Sequence, residues 1–121
     1  MKALRALTRI YLEPGHLDAA IGFYERLFGE PCRLRFDYPA VGLELAEVGA
    51  VLLLCGTEEA LRRFRPTLMT VMVDSSLAEW QRALAALGAD IVEPPKPVPT
   101  GSNMRVRHPD STLVEYVEHH A

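Results

Sequence analysis

Arginine and glutamate recur at strand-like spacing in two distant stretches, and they are the residues here best suited to hold an organic anion or a cation. Arg9, Tyr11 and Glu13 alternate with Ile10 and Leu12, so an extended chain puts the three polar side chains on one face. Near the other end Leu113, Glu115 and Val117 share a face opposite Val114 and Tyr116, and Leu68, Thr70 and Met72 alternate with Met69, Val71 and Val73. Arg105 and Arg107 alternate with Met104 and Val106; with the apolar pair against a core, the arginines and Asn103 face either a cavity or solvent. Guanidinium groups in a concave, partly apolar setting suit carboxylate or phosphate groups.

Other reactive residue types do not assemble. His16 stands at a helix start, His108 precedes a proline, and the adjacent His119 and His120 point to opposite faces of a strand and cannot chelate together. Cys32 and Cys55 match no C-x-x-C spacing and read as small buried hydrophobes. No Ser-His-Asp or Cys-His arrangement offers nucleophilic catalysis.

The chain has 121 residues, a net charge of −3 and 49% hydrophobic residues, which suits one compact domain with its own core. Mild acidity argues against nucleic acid, and only Arg62, Arg63 and Arg65 cluster. No apolar run approaches the roughly 20 residues that span a bilayer, and no signal-peptide pattern follows Lys2 and Arg5. The expectation is a soluble cytoplasmic protein without membrane contact.

The elements that position these residues follow from periodicity. A strand over 4–13 leads to a helix over 16–28, with Leu17, Ala20, Ile21, Tyr24, Leu27 and Phe28 at helical spacing and Gly29 as the stop. Strands are expected over 32–37, 41–48 and 50–55, and 57–67 reads as a linker, with or without a helical turn. The order then restarts: strand 68–73, a helix from the cap Ser76 to Leu87 stopped by Gly88, then strands 89–93, 102–108 and 112–119. The Pro-rich stretch 94–99 reads as a connector or a stiff cavity rim. One offset of 59 residues carries Gly29 onto Gly88, Ile21 onto Trp80, and Ile10 and Leu12 onto Met69 and Val71. Trp80 is accordingly a core residue. The expected fold is α+β, a βαβββ unit twice within one domain over 1–121: module one 1–56, linker 57–67, module two 68–121. A ferredoxin-like βαββαβ domain, with four strands, is the rival.

Two motifs carry a family likeness. The run from Arg9 to Gly29, with Phe23-Tyr24 and Phe28-Gly29, resembles the first strand and helix of the vicinal-oxygen-chelate superfamily, which includes glyoxalases, bleomycin-resistance proteins and extradiol dioxygenases. His108-Pro109-Asp110-Ser111-Thr112-Leu113-Val114-Glu115-Tyr116-Val117 resembles its closing hairpin, with Ser111 where the family prefers Gly and His108 where it prefers Asp. The likeness covers nearly the whole chain. It implies mixed sheets curled into half-barrels around a central cavity, with four side chains holding a divalent ion.

Carried over residue by residue, those four positions hold Arg9, Leu53, Leu68 and Glu115. Leu53 enters by aligning Gly49–Cys55 with Ser111–Val117. Divalent ions need several oxygen, nitrogen or thiolate donors, and two leucines and a permanent cation do not supply them. The expectation is therefore no metal and no other cofactor, Glu115 being the one ligand retained. Arg9 and Glu115 form an ion pair in its place, or Arg9 is solvated and Glu115 a remnant.

The leading functional reading is a metal-independent small-molecule binding protein, similar to the drug-sequestering bleomycin-resistance members and, like them, a homodimer. Its ligand is a small organic molecule, met by Arg9, Tyr11, Leu53, Leu68, Thr70, Met72, Arg105, Arg107 and Glu115, with no catalytic residue assigned. The alternative is a metal-dependent lyase, isomerase or dioxygenase of glyoxalase type, with Glu13, Glu44, Glu47 or His108 as replacement ligands.

Overall fold

The computed structural model describes residues 1–120; Ala121, the last residue of the expected domain, lies outside them. The element order is strand β1 (Ala3–Leu12), helix α1 (Leu17–Phe28), strands β2 (Leu34–Tyr38), β3 (Leu43–Val48) and β4 (Val51–Cys55), then a short helix α2 (Glu58–Leu61). Strand, helix and three strands follow again: β5 (Met69–Val73), α3 (Leu77–Ala86), β6 (Asp90–Val98), β7 (Gly101–Arg107) and β8 (Leu113–His119). The class is α+β with mixed pairing, and eight strands exceed the four of the ferredoxin-like rival. No helix is long and apolar enough to cross a membrane among the described residues.

The chain divides into two compact units. One comprises Leu7–Pro66; the other joins Met1–Ala6 to the chain from Thr67 onward. Strand β1 is thus divided between them.

In the Leu7–Pro66 unit the strand order is β2-β3-β4-β1, with β1 and β4 parallel and the other pairs antiparallel. Helix α1 packs Leu17 and Ile21 onto Ala46, Val48, Val51, Leu53 and Cys55, joined by Ile10, Leu12, Tyr24 and Phe28. It ends at Gly29, whose left-handed φ of 67° lets its N–H reach the Glu25 carbonyl. A side chain at Gly49 would collide with the Phe28 ring, so this glycine admits the helix end against the hairpin. Both cysteines are free thiols; Cys55 is buried and Cys32 packs at the edge of the same core.

In the other unit β5 and β8 run parallel, and β8-β7-β6 continue antiparallel. Helix α3, capped by Ser76 Oγ accepting from the Ala78 N–H, sets Leu77 and Leu84 against Val71, Val73, Met104, Val106, Val114 and Tyr116. Trp80 packs on this core as expected, 5.8 Å from the Tyr116 ring.

One element departs from the expectation. The Pro-rich stretch is no connector: β6 continues through Pro94, Pro95 and Pro97 to Val98, pairing with β7. Proline lacks an N–H and survives in a sheet at an edge or a bulge. Here β6 has β7 as its single strand neighbour among the described residues, and its register slips between Ile91 and Glu93 and again between Glu93 and Lys96.

Candidate ligand-binding site

Side chains directly opposite across paired strands point to the same face. Three such pairings line up across the sheet of the second unit: Thr70 opposite Glu115, Glu115 opposite Arg105, and Arg105 opposite Glu93. The row behind is Met72, Val117, Asn103 and Lys96. The result is a polar strip over four strands with an apolar patch beside it.

The strip is tightly bonded. Glu115 accepts from the Thr70 hydroxyl at 2.8 Å on one carboxylate oxygen and from the Asn103 amide at 2.6 Å on the other. Arg105 Nε lies 2.8 Å from Glu93 Oε1, and its Nη1 donates to Thr67 Oγ1 at 3.2 Å. Thr67 and Thr70 are buried, while Glu115 and Arg105 are half-buried. Charge-assisted bonds in such a partly dry setting hold side chains in fixed positions.

The face that bears Arg9 in the Leu7–Pro66 unit is built differently. Arg9 stands opposite Leu52 and Leu52 opposite Glu47; Tyr11 stands opposite Leu54 and Leu54 opposite Leu45. All but Tyr11 are buried, Arg9 and Glu47 included. The segment after α2 folds onto this face: the Tyr11 hydroxyl donates to the Phe64 carbonyl at 2.6 Å and accepts from Arg9 Nη1 at 3.5 Å. The Arg65 guanidinium sits 5.3 Å from the Tyr11 ring centroid and bonds Glu58 bidentately at 2.8 Å through each nitrogen. That pair holds the Glu58 carboxyl below, and the Arg65 guanidinium above, its ordinary range.

Leu53 requires a correction. It stands opposite Ile10 and is buried in the α1 core, on the reverse side of the sheet from Arg9. The residue matching Glu115 is Leu54, since Tyr11 opposite Leu54 corresponds to Thr70 opposite Glu115, an offset of 61. The expected alignment was one residue out of step, which flips every side chain to the other face.

The remaining expected site residues scatter. Leu68 precedes β5, is 63% exposed, and donates its N–H to the Leu113 carbonyl. Arg107 is exposed and reaches the Ser111 carbonyl at 3.3 Å. Met72 and Thr70 sit on the Glu115 face. Of the replacement ligands, Glu13 and Glu44 are exposed. His108 Nε2 lies 2.7 Å from the hydroxyl of Tyr116, whose ring packs in the α3 core behind Glu115, and burial raises that phenol's pKa. Asn103 and Glu93 complete the strip without having been counted among the site residues. The alternation with Arg105 gave a signal for Asn103; Glu93 reaches its place only through the register slip between Ile91 and Glu93.

A divalent ion does not fit this donor set. Glu115 is the one carboxylate at the expected ligand positions, its neighbour across the ladder is a guanidinium, and the Leu68 side chain has no donor atom. No group of three or more His, Cys, Asp or Glu side chains able to hold a metal occurs among the described residues.

No protein-family profile matches the chain, and no curated protein does. Solved structures do. An uncharacterized protein from Methanosarcina mazei is 46% identical, with 99% of this chain and 95% of that one covered and a TM-score of 0.88. Methylmalonyl-CoA epimerase from Mycobacterium tuberculosis is 19% identical over 100% and 94%, with a TM-score of 0.68. A Streptomyces coelicolor methylmalonyl-CoA epimerase variant in complex with 2-nitronate-propionyl-CoA is 17% identical over 98% and 100%, with a TM-score of 0.63. At such identities the two epimerases speak for the fold alone, which is glyoxalase-like.

Proposed function

Because the chain belongs to the same family as the uncharacterized Methanosarcina mazei protein, itself without an assigned activity, we propose a function from the site: metal-independent binding of a small organic molecule. The observation that carries this reading is the Glu115 carboxylate, held by Thr70 and Asn103 beside Arg105. A carboxylate held by two protein donors, with a guanidinium rather than another metal-ligating side chain beside it, suits a fixed polar anchor for an organic ligand. Met72, Val117 and Leu113, buried on the same face, give the site the apolar surroundings that suit a partly hydrophobic ligand. Arg105 supplies positive charge toward an acidic group, and Thr67 and Glu93 orient it.

The reading is tested by a thermal-shift screen of aromatic drugs and small organic acids, on the protein as purified and after chelator treatment. A ligand whose shift survives chelation and is lost in Glu115→Leu supports it. Chelator-sensitive binding, with one divalent ion per chain, would sink it.

A second reading is an isomerase acting on an acyl-CoA thioester, favoured by the epimerase fold together with the fixed carboxylate of Glu115. Its measure is solvent deuterium exchange at the α-carbon of such a thioester. Exchange that persists in Glu115→Gln excludes this residue as the proton acceptor.

A further inference from the structure

The charges of the Glu115 strip are laid out as a dipole. Glu93 is shared between two cations: its Oε1 lies 2.8 Å from Arg105 Nε, and its Oε2 receives Lys96 Nζ at 3.0 Å. One negative charge is thereby divided, and Glu93 does not fully neutralise Arg105. Glu115 accepts from the uncharged Thr70 hydroxyl and Asn103 amide, so these two bonds orient its negative charge without cancelling it. The pairing of β7 with β8 sets Arg105 directly opposite Glu115, with about 5 Å between Cβ atoms so placed. A positive and a negative group thus stand on adjacent strands, one steadied by Thr67 and the other by Thr70.

Asn103 narrows the chemistry further. Its amide nitrogen is committed to Glu115, so what it has left to present is a carbonyl oxygen, an acceptor. An acceptor beside a carboxylate suits a group that carries positive charge and donates several hydrogen bonds, and an ammonium does both. The guanidinium one strand away suits a carboxylate. A ligand with only one of these groups answers one end of the dipole and strips water from the other without replacing its hydrogen bonds.

Resting on the reading of this face as a small-molecule site, we infer that its ligand is an α-amino acid. The ammonium is met by Glu115 and the Asn103 carbonyl oxygen, the carboxylate by Arg105. Both ends of the strip are held by protein hydrogen bonds, so little side-chain freedom is lost when the two groups of the ligand dock.

The twenty common α-amino acids, ranked by thermal shift on the unmodified full chain, test the inference. The best is then titrated calorimetrically beside two analogues, the acid that lacks its amino group and the amine that lacks its carboxylate. The amino acid binds at least about tenfold tighter than either, because each analogue forfeits a charged hydrogen-bonded contact. Glu115→Gln keeps partners for Thr70 and Asn103 but removes the charge, and the amino acid and its deaminated acid then bind alike. Arg105→Gln likewise levels the amino acid with its amine. Circular dichroism matching the unmodified protein establishes that each variant is folded, and the three-compound comparison on the unmodified chain decides the matter where one is not. A deaminated acid that binds as tightly as the amino acid would overturn the inference while leaving small-molecule binding intact. So would a protein that takes up drugs or organic acids but none of the twenty. A protein shifted by no compound of any kind would overturn both.

Discussion

Tyr11 on β1 stands opposite Leu54 on β4, and at the matching place in the other unit Thr70 on β5 stands opposite Glu115 on β8. The same backbone pairing thus presents an aromatic and a leucine once, a hydroxyl and a carboxylate the second time. In the Leu7–Pro66 unit the hydroxyl of Tyr11 is satisfied by the folded-back chain at Phe64, and the closing strand contributes only apolar side chains to that face. In the other unit neighbouring strands satisfy one another: Thr70 and Asn103 bond Glu115, while Glu93 and Thr67 bond Arg105. A repeated fold unit fixes positions, not chemistry. In the second unit polar side chains gather where adjacent strands can hold them, and a buried carboxylate without such neighbours would cost several kcal/mol.

Core truncation should give the largest effect. Leu53→Ala is expected to destabilise the fold by about 2–4 kcal/mol in denaturant unfolding, since Leu53 is fully buried behind the Arg9 face. A cost near zero would return Leu53 to an open face. Glu115→Leu copies the first unit's residue into the second. It leaves the Asn103 amide and the Thr70 hydroxyl without their acceptor, at about 1–3 kcal/mol. An unchanged denaturation midpoint would show that the strip does not depend on its carboxylate. At the helix starts the units differ again: Ser76 caps α3 with its hydroxyl, whereas His16 makes no side-chain cap to α1. Ser76→Ala should therefore cost about 1 kcal/mol, and His16→Ala much less, read from paired unfolding curves.

The smallest contrast appears only in alkali. Position 116 holds a buried tyrosine where the matching position 55 holds a cysteine. Burial raises the Tyr116 phenol above its ordinary pKa of about 10. The stability this contributes is present below pH 10 and is lost as pH rises toward and through the raised folded value, because the unfolded chain ionises first. Tyr116→Phe should flatten that alkaline limb of a stability–pH curve; an unaltered limb would assign it elsewhere.

Much of this architecture was legible in the residues. Helical spacing from Leu17 to Phe28, with glycines at 29 and 88, located both long helices, and strand alternation located Arg9, Thr70 and Glu115 on their faces. What failed was register. Nothing local separates an offset of 61 from 62 across the leucine run 52–54, because each alternative puts an apolar residue on each face. The proline stretch misled for a related reason: whether a proline ends a strand or sits at a sheet's edge depends on the neighbour beyond it, which is tertiary information. Glu93 could reach Arg105 only after the register slip between Ile91 and Glu93, which periodicity does not anticipate.

The division of β1 bears on synthesis. Met1–Ala6 belongs with residues from Thr67 onward, and the Asp74 N–H donates to the Lys2 carbonyl while the Lys2 N–H donates to the Asp74 carboxylate at 2.7 Å. On the ribosome the chain leaves amino end first, at roughly 5–20 residues per second. The strand pairs within Leu7–Pro66 can close once Pro66 has emerged, whereas Met1–Ala6, although made before them, must wait until Asp74 is outside. Met1–Ala6 therefore settles after the unit that follows it in the chain.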